Sequence, residues 1–195
     1  MPPPLRAAAE LGISFRPFRD DDLPFVAELY ASTRREEVAQ TGWPAELQDA
    51  FLRQQHEAQH SHYSLHHSEA EWLIVERGGA AIGRLYLRDG AERFHVVDIS
   101  LLPEVRGQGI GGAILRDVLA AAHEAGKGVS IRVEKFNPAR RLYDRLGLPV
   151  SRYIGAAWAA DLVYLAMKPL EWAFYVALLL LDPRAPEARI DRMYR

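Results

Sequence analysis

Apolar residues recur at two different spacings along this chain, and the spacing predicts where its helices and strands lie. Repeats of three or four positions are typical of a helix with one buried face, and they occur in four segments: residues 23–34, 44–62, 113–125 and 137–146. The last of these begins at Asn137-Pro138, a favourable pair for the cap and first position of a helix. The chain is therefore predicted to contain at least four helices.

Strand character alternates with these helices. β-formers with an alternating pattern occupy seven short segments: residues 13–16, 71–76, 81–87, 93–101, 129–133, 150–154 and 162–167. Gly78-Gly79 predicts a hairpin between the second and third strands. The helix between residues 101 and 129 implies that the strands it joins run parallel or lie as neighbours. We expect an antiparallel meander followed by a parallel crossover.

The ends of the chain differ from its middle. Residues 1–12 hold three prolines and an alanine run and are predicted to form a loose lead-in, followed by a folded domain over residues 13–169. Residues 170–195 form a C-terminal extension, and its stretch 170–181 carries one charge. That stretch is too short to span a bilayer. Because it would expose an apolar patch, we expect it to pack on the domain or against a second copy in a homodimer.

Composition narrows the function classes. The chain has 195 residues, 49% of them hydrophobic and 26% charged, with a formal net charge of -2. This charge argues against a general nucleic-acid binder. The absence of cysteine excludes disulfides, thiolate metal sites and cysteine nucleophiles. With no secretory pattern at residues 1–6 and no apolar run of ~20 residues, we expect a cytoplasmic protein without a membrane span.

A glycine-rich loop carries the strongest chemical signal. The predicted strand 93–101 leads into a loop with four glycines among six residues, Gly107, Gly109, Gly111 and Gly112, and a helix follows. Bare backbone N–H groups between a strand and a helix N-terminus can bind an anion, and glycine allows a close approach. The loop is therefore predicted to bind phosphate, as part of a cofactor that carries several.

A dinucleotide site is an alternative reading of the same glycines. Gly107, Gly109 and Gly112 satisfy the pattern G-x-G-x-x-G, and Glu134 lies 22 residues beyond Gly112. Against this reading, that motif normally opens a domain of repeated βαβ units, whereas an antiparallel meander precedes it here. A flexible surface turn is the other alternative.

Two motifs resemble those of the GCN5-related N-acetyltransferases, the GNAT superfamily. The segment from Leu101 to Gly111 resembles the pyrophosphate motif Q/R-x-x-G-x-G/A, with Arg106, Gly109 and Gly111 at its fixed positions. The segment from Asn137 to Gly147 resembles the second motif, N-x-x-A-x-x-L-Y-x-x-L-G-F. Here Ala139 is one position early, Arg140 replaces the usual Ala, and Leu148 replaces the Phe.

The resemblance spans residues 13–169 and implies a fold and an activity. The fold is a mixed α/β class, with a mostly antiparallel central sheet, a splayed parallel pair of fourth and fifth strands, and helices on both faces. The implied activity is transfer of an acetyl group from acetyl-CoA to a primary amine, by direct attack in a ternary complex without a metal. The acceptor is a small molecule or a peptide. A non-catalytic acyl-CoA-binding module of the same fold is the alternative.

The resemblance also implies the cofactor-binding residues. Backbone N–H groups of the loop would hold the pyrophosphate, and a bulged strand before it, by position Ile99 to Leu101, would bind the thioester carbonyl and the pantetheine arm. Asn137 would contact that arm, and Tyr143 would protonate the leaving thiolate. The predicted cofactor-binding set is Ile99, Ser100, Leu101, Arg106, Gly107, Gln108, Gly109, Ile110, Gly111, Gly112, Asn137 and Arg140.

The residues that handle the acceptor are less specified. Asp98 and His95 lie on the strand leading to the site and are the candidate bases, although Asp98 could equally be a structural hydrogen-bond partner. By layout, the acceptor pocket would involve Tyr30, Trp43 and Phe51, which as plain core residues would look the same. His56 and His60 have i,i+4 spacing, but no H-E-x-x-H pattern accompanies them, so we expect no metal.

Overall fold

The computed structural model of the protein describes residues 2–133, 139–148 and 150–152. The chain divides into two units, Met1–Tyr153 and Ile154–Arg195, and the second lies outside the described residues. The strand expected at residues 162–167 and the extension 170–195 lie there, so their roles stay predictions. Within the described residues, no helix has both the length and the apolar character that a bilayer span requires.

The first unit contains four α-helices and six strands in its described part. The strands are β1 (Ile13–Pro17), β2 (Glu71–Arg77), β3 (Ala80–Asp89), β4 (Arg93–Leu101), β5 (Gly128–Val133) and β6 (Val150–Arg152). The helices are α1 (Leu23–Ala39), α2 (Ala45–His66), α3 (Ile110–Glu124) and α4 (Arg140–Arg145). Helices α1 and α2 are longer than their apolar patterns predicted, and α3 begins at Ile110 rather than near residue 113.

The strands form one sheet in sequence order, β1-β2-β3-β4-β5-β6. The pairs from β1 to β4 are antiparallel, and β4 pairs with β5 in parallel, as does β5 with β6. The apolar core packs α3 against one face of the sheet, with residues such as Val75, Leu85 and Val96 facing Ile114 and Val118. Helix α2 contacts the opposite face through Gln59 and Tyr63. This arrangement confirms the predicted fold class.

The N-terminal segment is not the loose lead-in that its composition suggested. The backbone N–H groups of Arg6, Ala7 and Ala8 all donate to the carboxylate of Asp117 on α3, at 3.0, 2.9 and 2.9 Å. Ala8 is fully buried, and Leu5 packs against the core. The expectation was wrong because the partner that orders the segment lies more than a hundred residues away in sequence.

Candidate active site

The glycine loop turns the chain from β4 into α3. Gly107 and Gly109 have φ angles of 74° and 81°, in the left-handed region that other residues rarely adopt. A Cβ atom at either position would meet nothing within 4 Å. Glycine is thus required here by backbone conformation, and this side of the loop is open to a ligand.

The backbone N–H groups of the loop are available for an anion. The first amide of α3 to be bonded is that of Ala113, which donates to the Gly109 carbonyl at 2.9 Å. Among the described residues, nothing accepts a hydrogen bond from the amides of residues 107–112. Since these amides stand at the positive end of the α3 dipole, the loop is electrostatically suited to phosphate.

Two side chains brace the loop from within. The Arg106 Nε donates to the Leu101 carbonyl at 2.8 Å, and Gln108 Nε2 donates to the Glu104 carbonyl at 2.9 Å. Arg77, at the end of β2, donates from Nη1 to Gln108 Oε1 at 2.9 Å. The side chains of Arg106 and Gln108 therefore hold the loop in shape. The backbone amide of Arg106 donates to the Pro103 carbonyl at 3.1 Å, whereas that of Gln108 is left to contact a ligand.

Strand β4 separates from β5 as it approaches this loop. Their pairing begins at Arg93 and ends with Val96 opposite Ile131, although β4 continues to Leu101. Beyond Val96, β4 has no partner on its β5 side among the described residues. Strands β4 and β5 therefore form the splayed pair that the resemblance implied. Their separation leaves a strand edge of β4 next to the glycine loop.

A bulge accompanies the separation. Tyr86 of β3 lies opposite Asp98 and Leu87 lies opposite Val96, so Val97 has no residue facing it. The bulge was expected at Ile99 to Leu101, and it lies two residues before that segment. Ile99 and its neighbours remain paired with β3 on one side only.

The Asp98 carboxylate is surrounded by donors just after the bulge. Its Oδ1 accepts from Ser100 Oγ at 2.8 Å and from Arg84 Nε at 3.2 Å. Its Oδ2 accepts from Arg84 Nη2 at 2.9 Å and from the Tyr63 hydroxyl at 3.3 Å. This environment favours the structural alternative for Asp98, because its lone pairs are already engaged.

Arg84 is the residue of this site that sequence reasoning missed. It is 2% exposed, and its Nη2 also donates to Gln59 Oε1 of α2 at 2.7 Å. Burial is the largest single influence and acts to lower the pKa of Arg84, but the charge of Asp98, its hydrogen bond and the nearby Tyr86 and Tyr63 together outweigh burial and raise the pKa. Burial, followed by the Asp98 charge, raises the pKa of Tyr63 well above its usual value. The only sequence signal was a single charged residue, Arg84, in the otherwise uncharged segment 81–87.

His95, the other candidate base, lies on β4 before the bulge. Its Nδ1 is 3.1 Å from the Ser130 hydroxyl on β5, the residue opposite it in the parallel ladder. His95 thus occupies the last part of β4 that still pairs with β5.

Tyr143 lies on α4 and is 4% exposed within the main core. Burial, with a smaller contribution from the Asp98 charge, raises the pKa of Tyr143 to about 12. Its neighbour Leu142 packs at the start of α3, where a Cβ on Gly112 would lie 3.4 Å from Leu142 Cδ1. The helix that carries Tyr143 is therefore packed directly onto the glycine-rich turn. Arg140 is the first residue of α4, and Asn137 lies outside the described residues.

The three aromatic residues expected at the acceptor pocket belong to the α1–α2 pair. Tyr30 and Phe51 pack against a small core of Ala31, Val38 and Leu52, and the Trp43 and Phe51 rings meet edge to face at 5.5 Å. Whether they also line an acceptor pocket stays a prediction.

A surface cleft of about 500 Å³ lies between α1 and the segment that follows β4. It is lined by Glu28, Ser32, Arg35, Glu36, Ala39, Leu102, Pro103 and Glu104. The sequence did not indicate it, because its two walls are about seventy residues apart in the chain.

The histidines of α2 pack in an aromatic layer. His56 is 4% exposed and lies 5.9 Å from the Tyr30 ring and 6.0 Å from His60, centroid to centroid. Burial, and then the positive charge of Arg84, lowers the pKa of His56 to about 4. Within the described part of the chain, no group of three or more potential ligands is placed to hold a metal ion.

Comparisons with known proteins agree with this geometry. The model of the Acetyltransferase (GNAT) family matches residues 25–148, and the chain therefore belongs to that family of acetyltransferases. A second model, the DUF6688 C-terminal domain, matches residues 122–195. No curated protein sequence matches the chain.

The fold is also that of a solved structure. The chain is similar to the PaiA N-acetyltransferase from Thermoplasma acidophilum in complex with coenzyme A, at 17% identity and a TM-score of 0.50, over 69% of this chain and 87% of that one. It is also similar to a GCN5-related N-acetyltransferase from Ralstonia eutropha JMP134, at 21% identity and a TM-score of 0.48, over 73% and 96% of the two chains.

Proposed function

We propose that this chain transfers an acetyl group from acetyl-CoA to a primary amine. The observation that carries the proposal is the glycine loop, whose amides at residues 107–112 have no acceptor among the described residues and stand beside the unpaired edge of β4. An anion cradle next to an exposed strand edge suits a ligand with a diphosphate and an amide-bearing arm. Acetyl-CoA has both.

In the proposed complex the loop amides bind the pyrophosphate. The pantetheine arm lies along β4 at Ile99 to Leu101, where its amides can bond to the strand edge. Asn137 and Arg140 are proposed to contact the arm, as the family resemblance implies. The thioester then lies near the end of the bulged segment, where a backbone N–H polarises its carbonyl.

The reaction needs one proton donor and one acceptor. The amine nitrogen forms a bond to the carbonyl carbon, the carbon–sulfur bond breaks, and the Tyr143 phenol gives its proton to the leaving thiolate. A pKa of about 12 keeps this phenol protonated at neutral pH, as a general acid must be. Holding both reactants in one cleft and polarising the carbonyl supply the remaining acceleration.

The attacking amine must lose its proton to a base or to water. Asp98 is less suited to this than its position in the sequence implied, because four donor contacts engage its carboxylate. We therefore assign the proton to His95, directly or through water. The variant His95→Gln should lose the acidic limb of the pH–rate profile, whereas Asp98→Asn should keep it.

The test is thiol release from acetyl-CoA with a panel of amines, combined with CoA calorimetry. Tyr143→Phe should lower kcat by roughly 100-fold while the Kd for CoA stays within about twofold, because the pyrophosphate contacts are untouched. Absence of CoA binding would contradict the proposal, and NAD binding in its place would support the dinucleotide alternative. CoA binding without turnover of any amine would favour a non-catalytic acyl-CoA module.

A further inference from the structure

We propose that Arg84 is a positioning residue for acetyl transfer, which acts through Asp98 to fix the bulged end of β4 where the thioester lies. The inference rests on the proposed function for the identity of the ligand.

The sheet cannot fix this part of β4 by its ladder alone. The β5 partner is lost after Val96, and the β3 register is broken at Val97. Within the part of the chain that the structure describes, residues 98–101 are thus held by strand pairing on one side only, next to the bulge. A segment restrained in this way needs side-chain contacts if its amides are to be held in place.

Arg84 supplies those contacts from the neighbouring strand. It lies opposite Ser100, and its planar guanidinium reaches diagonally to both oxygens of Asp98 at 3.2 and 2.9 Å. The Ser100 hydroxyl closes the same unit by donating to Asp98 at 2.8 Å. Of the four residues after the bulge, Asp98 is therefore bonded to the guanidinium directly and Ser100 through Asp98.

Helix α2 contributes two further hydrogen bonds to Arg84 and Asp98. Gln59 accepts from Arg84 at 2.7 Å, and the Tyr63 hydroxyl donates to Asp98 at 3.3 Å. The Arg84 and Asp98 side chains are 3% and 11% exposed, so water does not replace these bonds easily. A buried pair of this kind adds directional restraint more than net stability.

The matched comparison is Arg16 of β1, which forms a similar but remote ion cluster. Its guanidinium donates to Asp22 at 2.7 and 2.6 Å and to Glu76 at 2.7 Å, and its side chain is 26% exposed. Arg84→Lys and Arg16→Lys each keep a positive charge and remove the two-pronged contact. Only the first of these faces the bulge.

The experiment measures kcat and KM for acetyl-CoA, the Kd for CoA, and amide hydrogen exchange along β4. Arg84→Lys should lower kcat at least tenfold, leave the CoA Kd within about threefold, and speed exchange in residues 97–101 at least tenfold with exchange in β2 unchanged. The pH–rate profile should keep its shape, since Arg84 is not the proton acceptor. Arg16→Lys should leave kcat and exchange in residues 97–101 as in the parent protein.

Tyr63→Phe is the second variant, in case Arg84→Lys does not fold. It removes a single donor to Asp98 and should change kcat in the same direction by about threefold. The inference is overturned if exchange in residues 97–101 and kcat are unchanged in whichever variant folds. It is also overturned if exchange rises equally throughout the sheet, because that marks a role in stability alone. Exchange decides the question even if no amine is acetylated, so failure of the proposed function is distinguishable from failure of this inference.

Discussion

Each buried charged side chain among the described residues has hydrogen-bond partners: acceptors for the arginine and donors for the carboxylates. Arg84 has a carboxylate and an amide oxygen, Asp22 has the guanidinium of Arg16, and Asp117 has three backbone amides. His56 differs, because its buried Nε2 has no hydrogen-bond partner among the described residues. A neutral imidazole tolerates such a place, whereas an imidazolium does not.

Replacing His56 should therefore flatten the acid dependence of stability. The pKa of His56 is about 4 in the folded state and 6.5 in the unfolded state. Between these pH values His56 is therefore protonated in the unfolded chain and neutral in the folded chain. The free energy of unfolding of the parent protein should thus fall as the pH drops from 6.5 towards 4, by roughly 1 kcal/mol per pH unit from this residue.

The measurement is urea unfolding at several pH values for the parent protein and His56→Gln. The difference between their unfolding free energies should change between pH 6.5 and 4.5 and stay constant between pH 7.5 and 8.5. Parallel curves throughout would show that His56 is protonated as easily in the folded state as in the unfolded one.

At the scale of elements, the glycines of the loop separate into two kinds. Gly107 and Gly109 precede α3 and adopt positive φ angles, whereas Gly111 and Gly112 are helical and lie under Leu142 of α4. The first kind serves backbone conformation, and the second allows two helices to approach. The pyrophosphate motif Q/R-x-x-G-x-G/A allows alanine at its last position, which is Gly111 here, and this agrees with the division.

Gly109→Ala should weaken acetyl-CoA binding far more than Gly111→Ala. A Cβ at φ 81° costs about 1–2 kcal/mol of strain, which the loop would relieve by moving its amides. We expect KM for acetyl-CoA to rise about tenfold. In Gly111→Ala the new Cβ would lie 3.7 Å from Leu101 Cδ1, an ordinary contact, so KM should stay within about threefold. Equal effects in steady-state kinetics would contradict the conformational explanation.

At the scale of the whole molecule, the described unit is closed by contacts between distant parts of the chain. The N-terminal segment is anchored to α3 by Asp117, 111 residues from Arg6. The same two segments are also joined at the surface, where Arg6 Nη2 lies 2.8 Å from Glu124 Oε1. The buried contact and the exposed one link the same segments, so their contributions can be compared directly.

Asp117→Asn should cost about 2–3 kcal/mol of unfolding free energy. It removes a negative acceptor from three buried or half-buried amides and leaves at least one of them unpaired. Glu124→Gln neutralises the same charge on the same helix but at an exposed pair, and should cost less than about 1 kcal/mol. Thermal and urea unfolding compare the two, and a difference under about 0.5 kcal/mol would refute the anchoring role of Asp117.

Element bounds were predicted correctly where local sequence sets them and wrongly where tertiary contacts do. The bounds of β4 were predicted correctly, because strand alternation and the following turn are local signals. Helix α1 was predicted to end near residue 34, yet it continues to Ala39, where Val38 is buried against α2 and Arg35 bonds to Asp49. Tertiary contacts thus stabilise the last turn of α1, where the apolar spacing no longer predicts a helix.

By itself, the sequence determined the class of fold and the place of the glycine loop, because glycine conformations and apolar periodicities are set by sterics within a few residues. Tertiary structure alone decided the surroundings of Asp98 and Asp117. A carboxylate can act as a base or hold structure in place, depending on which donors reach it. Here those donors include side chains of the neighbouring strand β3 and of helix α2, and backbone amides of the distant N-terminal segment.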